Sequence, residues 1–242
     1  MRALPYSSWF FGLWLCASPV NAFELNSLEW PPYTGAALPE QGQLSSLLHG
    51  ALAQQDIPLE IRFLPWNRAV KTALTSPETL GYFPEYQAPD LPCVYSDSLG
   101  TSRLGLAHRS SEPLDWQQLT DLAPYRIGVV SGYRNTPAFD QSVAHGVLQV
   151  EESNSDRINL LKLLYGRLDL VVIDQAVMQY WLQTSEELGR SAKQLAFSTN
   201  DTKVWFPRLA RIAGHNLLSI NRGGDGQPCP RPGHPQSCAQ TL

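Results

Sequence analysis

Cysteine is scarce in this chain. There are four in 242 residues, Cys16, Cys93, Cys229 and Cys238, too few for a disulfide framework to replace a packed core. A Cys229–Cys238 bridge suits an oxidising compartment and leaves Cys93 as a small packing residue. Basic charge is short as well, with 18 Lys and Arg against 22 Asp and Glu. That balance excludes the electrostatic footprint of a nucleic-acid or membrane-surface binder. There is no phosphate loop, no Gly-x-Ser-x-Gly elbow and no His-Glu-x-x-His helix, and the five histidines lack metal-ligand spacing. Nucleotide, esterase and zinc-peptidase chemistries therefore have no motif to stand on, and neither cofactor nor metal is expected.

Long apolar runs are missing too. The apolar stretch from Trp9 to Val20 contains Pro19 and falls short of the about 20 residues that span a bilayer. With Arg2 before it and Val20-Asn21-Ala22 behind it, residues 1–22 read as a signal peptide cleaved after Ala22. Trp14 and Leu15 before Cys16 argue against a lipid anchor there. Without Arg2 the balance is 17 basic against 22 acidic residues, a net charge of about −5. The expected product is exported and soluble.

What is present is a twice-repeated order of elements. Phe23 to Trp30 reads as a strand, Gln43 onward as a helix with Leu44, Leu47, Leu48, Ala51 and Leu52 on one stripe, and Ile57 to Leu64 as a strand. A helix capped by Asn67 runs through Leu74, and Thr79 to Phe83 is extended. The order returns with a strand at Tyr125 to Val130. A helix follows, opened by Asn135 or Thr136 with Pro137 at its first position and closed by Gly146. Next come a strand at Val147 to Val150 and a Ser155-capped helix over Asp156 to Tyr165. Its expected buried face is Ile158, Leu161, Leu164 and Tyr165; a strand at Leu168 to Ile173 closes the block. Two βαβαβ blocks joined by the irregular 84–124 stretch predict an α/β protein of two lobes, each a mainly parallel sheet flanked by helices. From Arg222 the Gly-, Pro- and Cys-rich sequence predicts a disordered tail.

In open α/β sheets ligands bind beyond the carboxyl ends of strands. Trp30 to Tyr33, Trp66-Asn67-Arg68, Ser131 to Arg134 and Asp174 fall there. Ser131-Gly132-Tyr133 is a strand–glycine–helix turn whose outward N–H groups suit a carboxylate or phosphate, or it is an ordinary tight turn. Arg68 is a two-pronged carboxylate clamp or a solvated arginine. Tyr33, Trp66, Tyr82 and Tyr133 are candidate stacking walls or core. Asp174 caps the helix Gln175 to Leu182, and either stops at that or also meets a ligand cation.

Five stretches in order, "EWPPYTG", "LPWNRAV", "YSDSLGTSRLGLAHR", "YRIGVVSGY" and "LLYGRLDLVVID", resemble the bacterial extracellular solute-binding proteins of family 3, the polar amino-acid group, over about residues 24–208. The resemblance implies a clamshell with crossovers near Leu104 to His108 and Phe197 to Lys203. Its parts are residues 23–104 and 199–221 as the first lobe, 105–198 as the second, and 222–242 as an aberrant tail. It implies Tyr33 and Tyr82 as aromatic walls, Ser131 to Tyr133 as the anion turn and Asp174 facing an amino group. A small polar solute and an ABC permease or sensor are the implied partners. Two departures stand out. "GYFPEYQAPD" carries Glu85 where the family places an arginine. The sequence beyond about Arg208 also lacks the family's closing amphipathic helix, which reads as a frameshift or altered terminus. An enzyme on the same scaffold, similar to periplasmic cyclohexadienyl dehydratases with Asp174 or Glu85 as acid, is the alternative, and a non-binding interaction scaffold the third.

Overall fold

The computed structural model describes residues 22–86, 93–199 and 207–214, the last from backbone alone over 207–210. The signal peptide expected over residues 1–22, save Ala22 itself, lies outside the described residues, as do the Cys229–Cys238 bridge and the disordered tail. So does the missing closing helix.

The first block is β1 (Phe23–Ser27), α1 (Gln43–Ala53), β2 (Leu59–Phe63), α2 (Trp66–Thr75) and β3 (Thr79–Tyr86). The three strands are parallel with β1 central. Then come β4 (Val94–Tyr95) and β5 (Gly100–Arg109). The second block is β6 (Ile127–Val130), α3 (Pro137–Ala144), β7 (Val150–Ser153), α4 (Asp156–Leu164) and β8 (Leu170–Asp174), again parallel, with β6 central. The chain continues through α5 (Gln175–Thr184), α6 (Glu186–Arg190), β9 (Leu195–Ser198) and β10 (Pro207–Gly214).

The antiparallel strands β5, β9, β10 and β4 make both sheets mixed. β5 serves both. Gly100 to Arg103 pair with β10 in the first lobe, and Leu104 to Arg109 pair with β8 and β9 in the second. The sheet partner thus changes between Arg103 and Leu104. The returning chain enters the first sheet at β10, beside β3. Strand pairing, with a register shift between Arg211 and Ala213, runs through Gly214, past the Arg208 point from which the sequence reads as altered.

Local chemistry explains most boundaries. Thr136 accepts from the Phe139 N–H to open α3, with Pro137 next, and Ser155 accepts from Ile158 to open α4. Gly146 and Gly166 end those helices at positive φ.

Three readings need correction. Asn67 is not a cap, because the helix starts at Trp66 after Pro65 with no side-chain cap. The strand in the second block is Val150–Ser153, not Val147–Val150; the Val147 and Leu148 N–H groups are spent on the Ser142 carbonyl in the last turn of α3. α4 buries Asp156, Asn159, Leu160 and Leu163, while Ile158 is 40% and Tyr165 63% exposed. Its sequence is apolar on nearly every side, so helical spacing allowed two stripes, and packing against β6 and β8 selected the one carrying two polar residues.

The outer faces of the sheets hold separate cores. One is built on Leu25, Leu44, Leu48, Ile61 and Phe83, the other on Leu106, Leu122, Ile127, Phe139 and Leu170. A third buried cluster runs from one lobe to the other, joining Trp30, Trp66 and Tyr82 to Leu160, Leu163 and Val177.

Candidate functional site

The carboxyl ends of the parallel strands of both sheets face one cleft, where strands stop and backbone turns away. From the first lobe come the 28–34 loop after β1, the start of α2 after β2, and Glu85 at the end of β3. From the second come the 131–134 turn after β6, the start of α4 after β7, and Asp174 at the end of β8.

The first-lobe loop is made rigid by its own backbone. Trp30 and Thr34 exchange hydrogen bonds of 2.9 and 3.2 Å, and the buried Thr34 hydroxyl donates to Leu28 O at 2.9 Å. The loop holds the Trp30 and Tyr33 rings 4.6 Å apart and aims the tyrosine hydroxyl across the cleft. There Tyr33 donates to Asp174 Oδ1 at 3.1 Å. Two further bonds cross between lobes: Trp66 Nε1–H donates to Gly132 O at 3.1 Å, and Asn67 Nδ2 donates to Ser131 Oγ at 3.5 Å. At about 1 kcal/mol net for each of the two shorter bonds and less for the exposed 3.5 Å contact, they amount to a closure energy that a bound solute can readily outweigh or reinforce.

Gly132 suits that contact chiefly through its backbone conformation. Its φ is +78°, a conformation that strains any other residue, and a Cβ there would lie 1.9 Å from Asn67 Oδ1 and push that exposed amide aside.

Asp174 is 1% exposed. Oδ1 accepts from Tyr33 and from the Ala176 and Val177 N–H groups at 2.8 and 3.1 Å, and Oδ2 accepts from Arg103 N–H at 2.9 Å. Burial still outweighs these donors and pushes its pKa up. The Tyr33 phenol is held far above its usual range, first by burial and then by Asp174. One turn into the cleft from β7, buried Asp156 is pushed up to about 7 by burial and, secondarily, by Asp174. It in turn raises the Tyr133 phenol, on which burial acts most.

A cavity of about 380 Å³ lies between α2 and the second lobe. Trp66, Asn67, Val70, Lys71 and Leu74 form its α2 side, and Glu85, Gly132 and Arg134 its inner end. A smaller space of about 30 Å³ among Trp30, Trp66, Tyr133, Glu85 and Arg134 adjoins the same two charges.

The expected residues are brought together unequally. Trp66, Ser131, Gly132 and Tyr133 meet at the cleft, and Tyr33 and Asp174 bond across it. Tyr82 is fully buried, its ring 5.4 Å from Trp66 and edge-on to it, so it supports the tryptophan and lines neither cavity. Arg68 is exposed and lines neither, because the cavity stripe on α2 is 67, 70, 71 and 74, which turns residue 68 away. Asn67 and Arg134 lie inside stretches expected at the binding strand ends without a role of their own, Glu85 is expected only as the alternative acid, and Asp156 is not among the expected site residues. Position at a strand's carboxyl end was the available signal for all four. Among the described residues no group of three His, Cys, Asp or Glu side chains is placed to hold a metal. None of their helices is long and apolar enough to cross a membrane.

No protein-family model and no curated protein matches the chain. Solved structures do. Holo ArgBP from T. maritima superimposes with a TM-score of 0.65 at 14% identity, over 83% of this chain and 85% of that one. An arginine 3rd transport system periplasmic binding protein from Legionella pneumophila gives 0.64 at 13%, over 83% and 88%. A histidine kinase sensor domain with similarity to periplasmic binding proteins gives 0.65 at 13%, over 80% and 82%. Matching over most of both chains, with a strand shared by two mixed sheets and a cleft at their strand ends, the protein has the two-lobed fold of the periplasmic binding proteins.

Proposed function

We propose that this protein is a periplasmic solute-binding protein, exported by residues 1–22 and acting as a monomer. It captures a small polar, amino-acid-like solute between its lobes for an inner-membrane transporter or a sensor. The observation that carries this is the set of cross-lobe bonds, Tyr33–Asp174, Trp66–Gly132 and Asn67–Ser131, beside a cavity bordered by both lobes. The arginine-binding proteins and the sensor domain of the same fold support it. Trp66 and Tyr133 wall the ligand, Gly132 and Ser131 supply the close-approach turn, and Tyr33 with Asp174 latches the lobes. Arg68 and Tyr82 act outside the contact surface.

The test is a thermal-shift screen of residues 23–242 against amino acids, polyamines, small dicarboxylates and prephenate-like acids, followed by product analysis of any hit. A saturable rise in melting temperature without product, lost in Trp66→Ala, supports capture. Buried Glu85 bordering both cavities favours one second reading, acid catalysis in the dehydratase manner, and product formation would establish it. A cooperatively melting protein shifted by none of these compounds would overturn both.

A further inference from the structure

Asp156 is a buried carboxyl that the solute-capture reading does not use. It opens α4 at the carboxyl end of β7, on the second lobe's side of the cleft, and is 5% exposed. Its carboxyl accepts a hydrogen bond from its own backbone N–H, and the charge that acts on it is of like sign, Asp174. Among the described residues no cation answers it from the elements packed against α4. β6 carries no titratable side chain and β8 only Asp174. β7 contributes Glu151 and Glu152, both exposed, with Glu151 paired to Lys162 of α4. On β5, the Arg103 guanidinium bonds Thr199 and the His108 ring bonds the Arg109 and Glu112 carbonyls. Arg109 is spent on Glu112, Asp169 and the last turn of α4. α5 brings Tyr180, edge-on to Trp181, and Arg157 lies about 100° further round α4 itself.

The cover over this carboxyl is shared between the lobes. Leu160 and Leu163, four and seven residues on and so on the same face, belong to the buried cluster that contains Trp30, Trp66 and Tyr82 of the first lobe. Tyr133 stands edge-on to Trp66 at 6.3 Å, and its phenol is raised both by Asp156 and by the first lobe's Tyr86.

We propose that Asp156 makes closure of the cleft proton-linked: the closed form shelters this carboxyl as the neutral acid, and parting the lobes lets water hydrate the carboxylate. This rests on the solute-capture reading above and adds its regulation, with capture favoured by acid and release by alkali. The direction follows from burial. The closed cleft pushes the carboxyl up to about 7, whereas a hydrated aspartate titrates near pH 4. The closing equilibrium is therefore constant below about pH 4, falls about tenfold per pH unit from there to about pH 7, and levels off above. Asp174 senses protons less, because its Ala176 and Val177 donors sit on its own lobe and stay with it when the lobes part.

The experiment measures the radius of gyration by solution scattering from about pH 4.5 to about pH 8.5, without ligand, for residues 23–242 and for Asp156→Asn. Circular dichroism runs alongside to separate opening from unfolding. The wild type should be compact at the acid end, expand as pH rises with its helix signal intact, and change no further above about pH 7.5. Asp156→Asn should stay compact throughout. If that variant fails to melt cooperatively, Asp156→Ser, uncharged and at home at a helix start, takes its place. A wild-type radius independent of pH, an expansion that comes with lost helix signal, or the same expansion in the variant each overturns the switch. All three leave capture standing, and an empty thermal-shift screen overturns capture whatever the radius does.

Discussion

Replacing Asp156 by asparagine tests whether burial governs the electrostatics of this cleft. The side chain sits at the first position of α4 and is 5% exposed, and its pKa is pushed from 3.8 up to about 7, by burial first and by Asp174 second. A carboxyl that holds its proton more tightly when folded stabilises the fold most where it is protonated in both states. Its contribution is therefore fully present below about pH 4, declines as pH rises and is gone above about pH 7. A shift of roughly three units corresponds to at most about 4 kcal/mol. An amide of the same shape has no charge to bury. Asp156→Asn should match the wild type near pH 4 and become progressively more stable than it up to pH 7. At pH 8 it should melt on the order of 10 °C higher, at about 2–4 °C per kcal/mol for a chain of this size. Some slope will persist, since burial raises Asp174 in the same direction. Melting curves of both proteins from pH 4 to 9 decide it. Parallel curves, or a variant less stable than wild type at pH 8, would refute the reasoning.

Gly132→Ala places a left-handed φ on a residue with a Cβ, costing about 1–2 kcal/mol and lowering the melting temperature by several degrees. It also drives Asn67 from its contact, so the radius of gyration by solution scattering should rise. Adding Asn67→Ala should restore compactness without restoring the melting temperature. Asp174→Ala strands the Ala176, Val177 and Arg103 N–H groups and should cost about 2–4 kcal/mol in urea unfolding, with Asp174→Asn costing less; equal stability of Ala and wild type would refute its capping role.

The βαβαβ order was legible because most strands are short apolar or alternating runs bounded by turn residues, β7 (VEES) being the misplaced exception, and because Ser155, Thr136 and Asp174 are good caps standing before helical sequence. The residues that meet across the cleft were legible only as members of strand ends. Glu85 and Arg134 are far apart in the chain, and nothing in the local pattern of either indicates the other. Asn67 carried a strong local signal, that of a cap, which Pro65 pre-empted by starting the helix earlier. The buried stripe of α4 was misread because Leu160 to Leu164 satisfies more than one helical face. Only the position of the second sheet discriminates between them, and it places Asp156 in the cleft.

β5 is one uninterrupted strand with a seat in each sheet. Its ladder with β8 ends at the pair Leu104–Asp174, and the next N–H, on Arg103, is taken by the Asp174 carboxylate instead of by another carbonyl. Any rotation of the lobes taken up at the Arg103–Leu104 junction therefore swings an N–H that is tied to the same carboxylate as Tyr33 and the first turn of α5. The pivot and the latch share one side chain. Opening the clamshell loosens a helix cap in the same stroke, and whatever reinforces that cap stiffens the pivot.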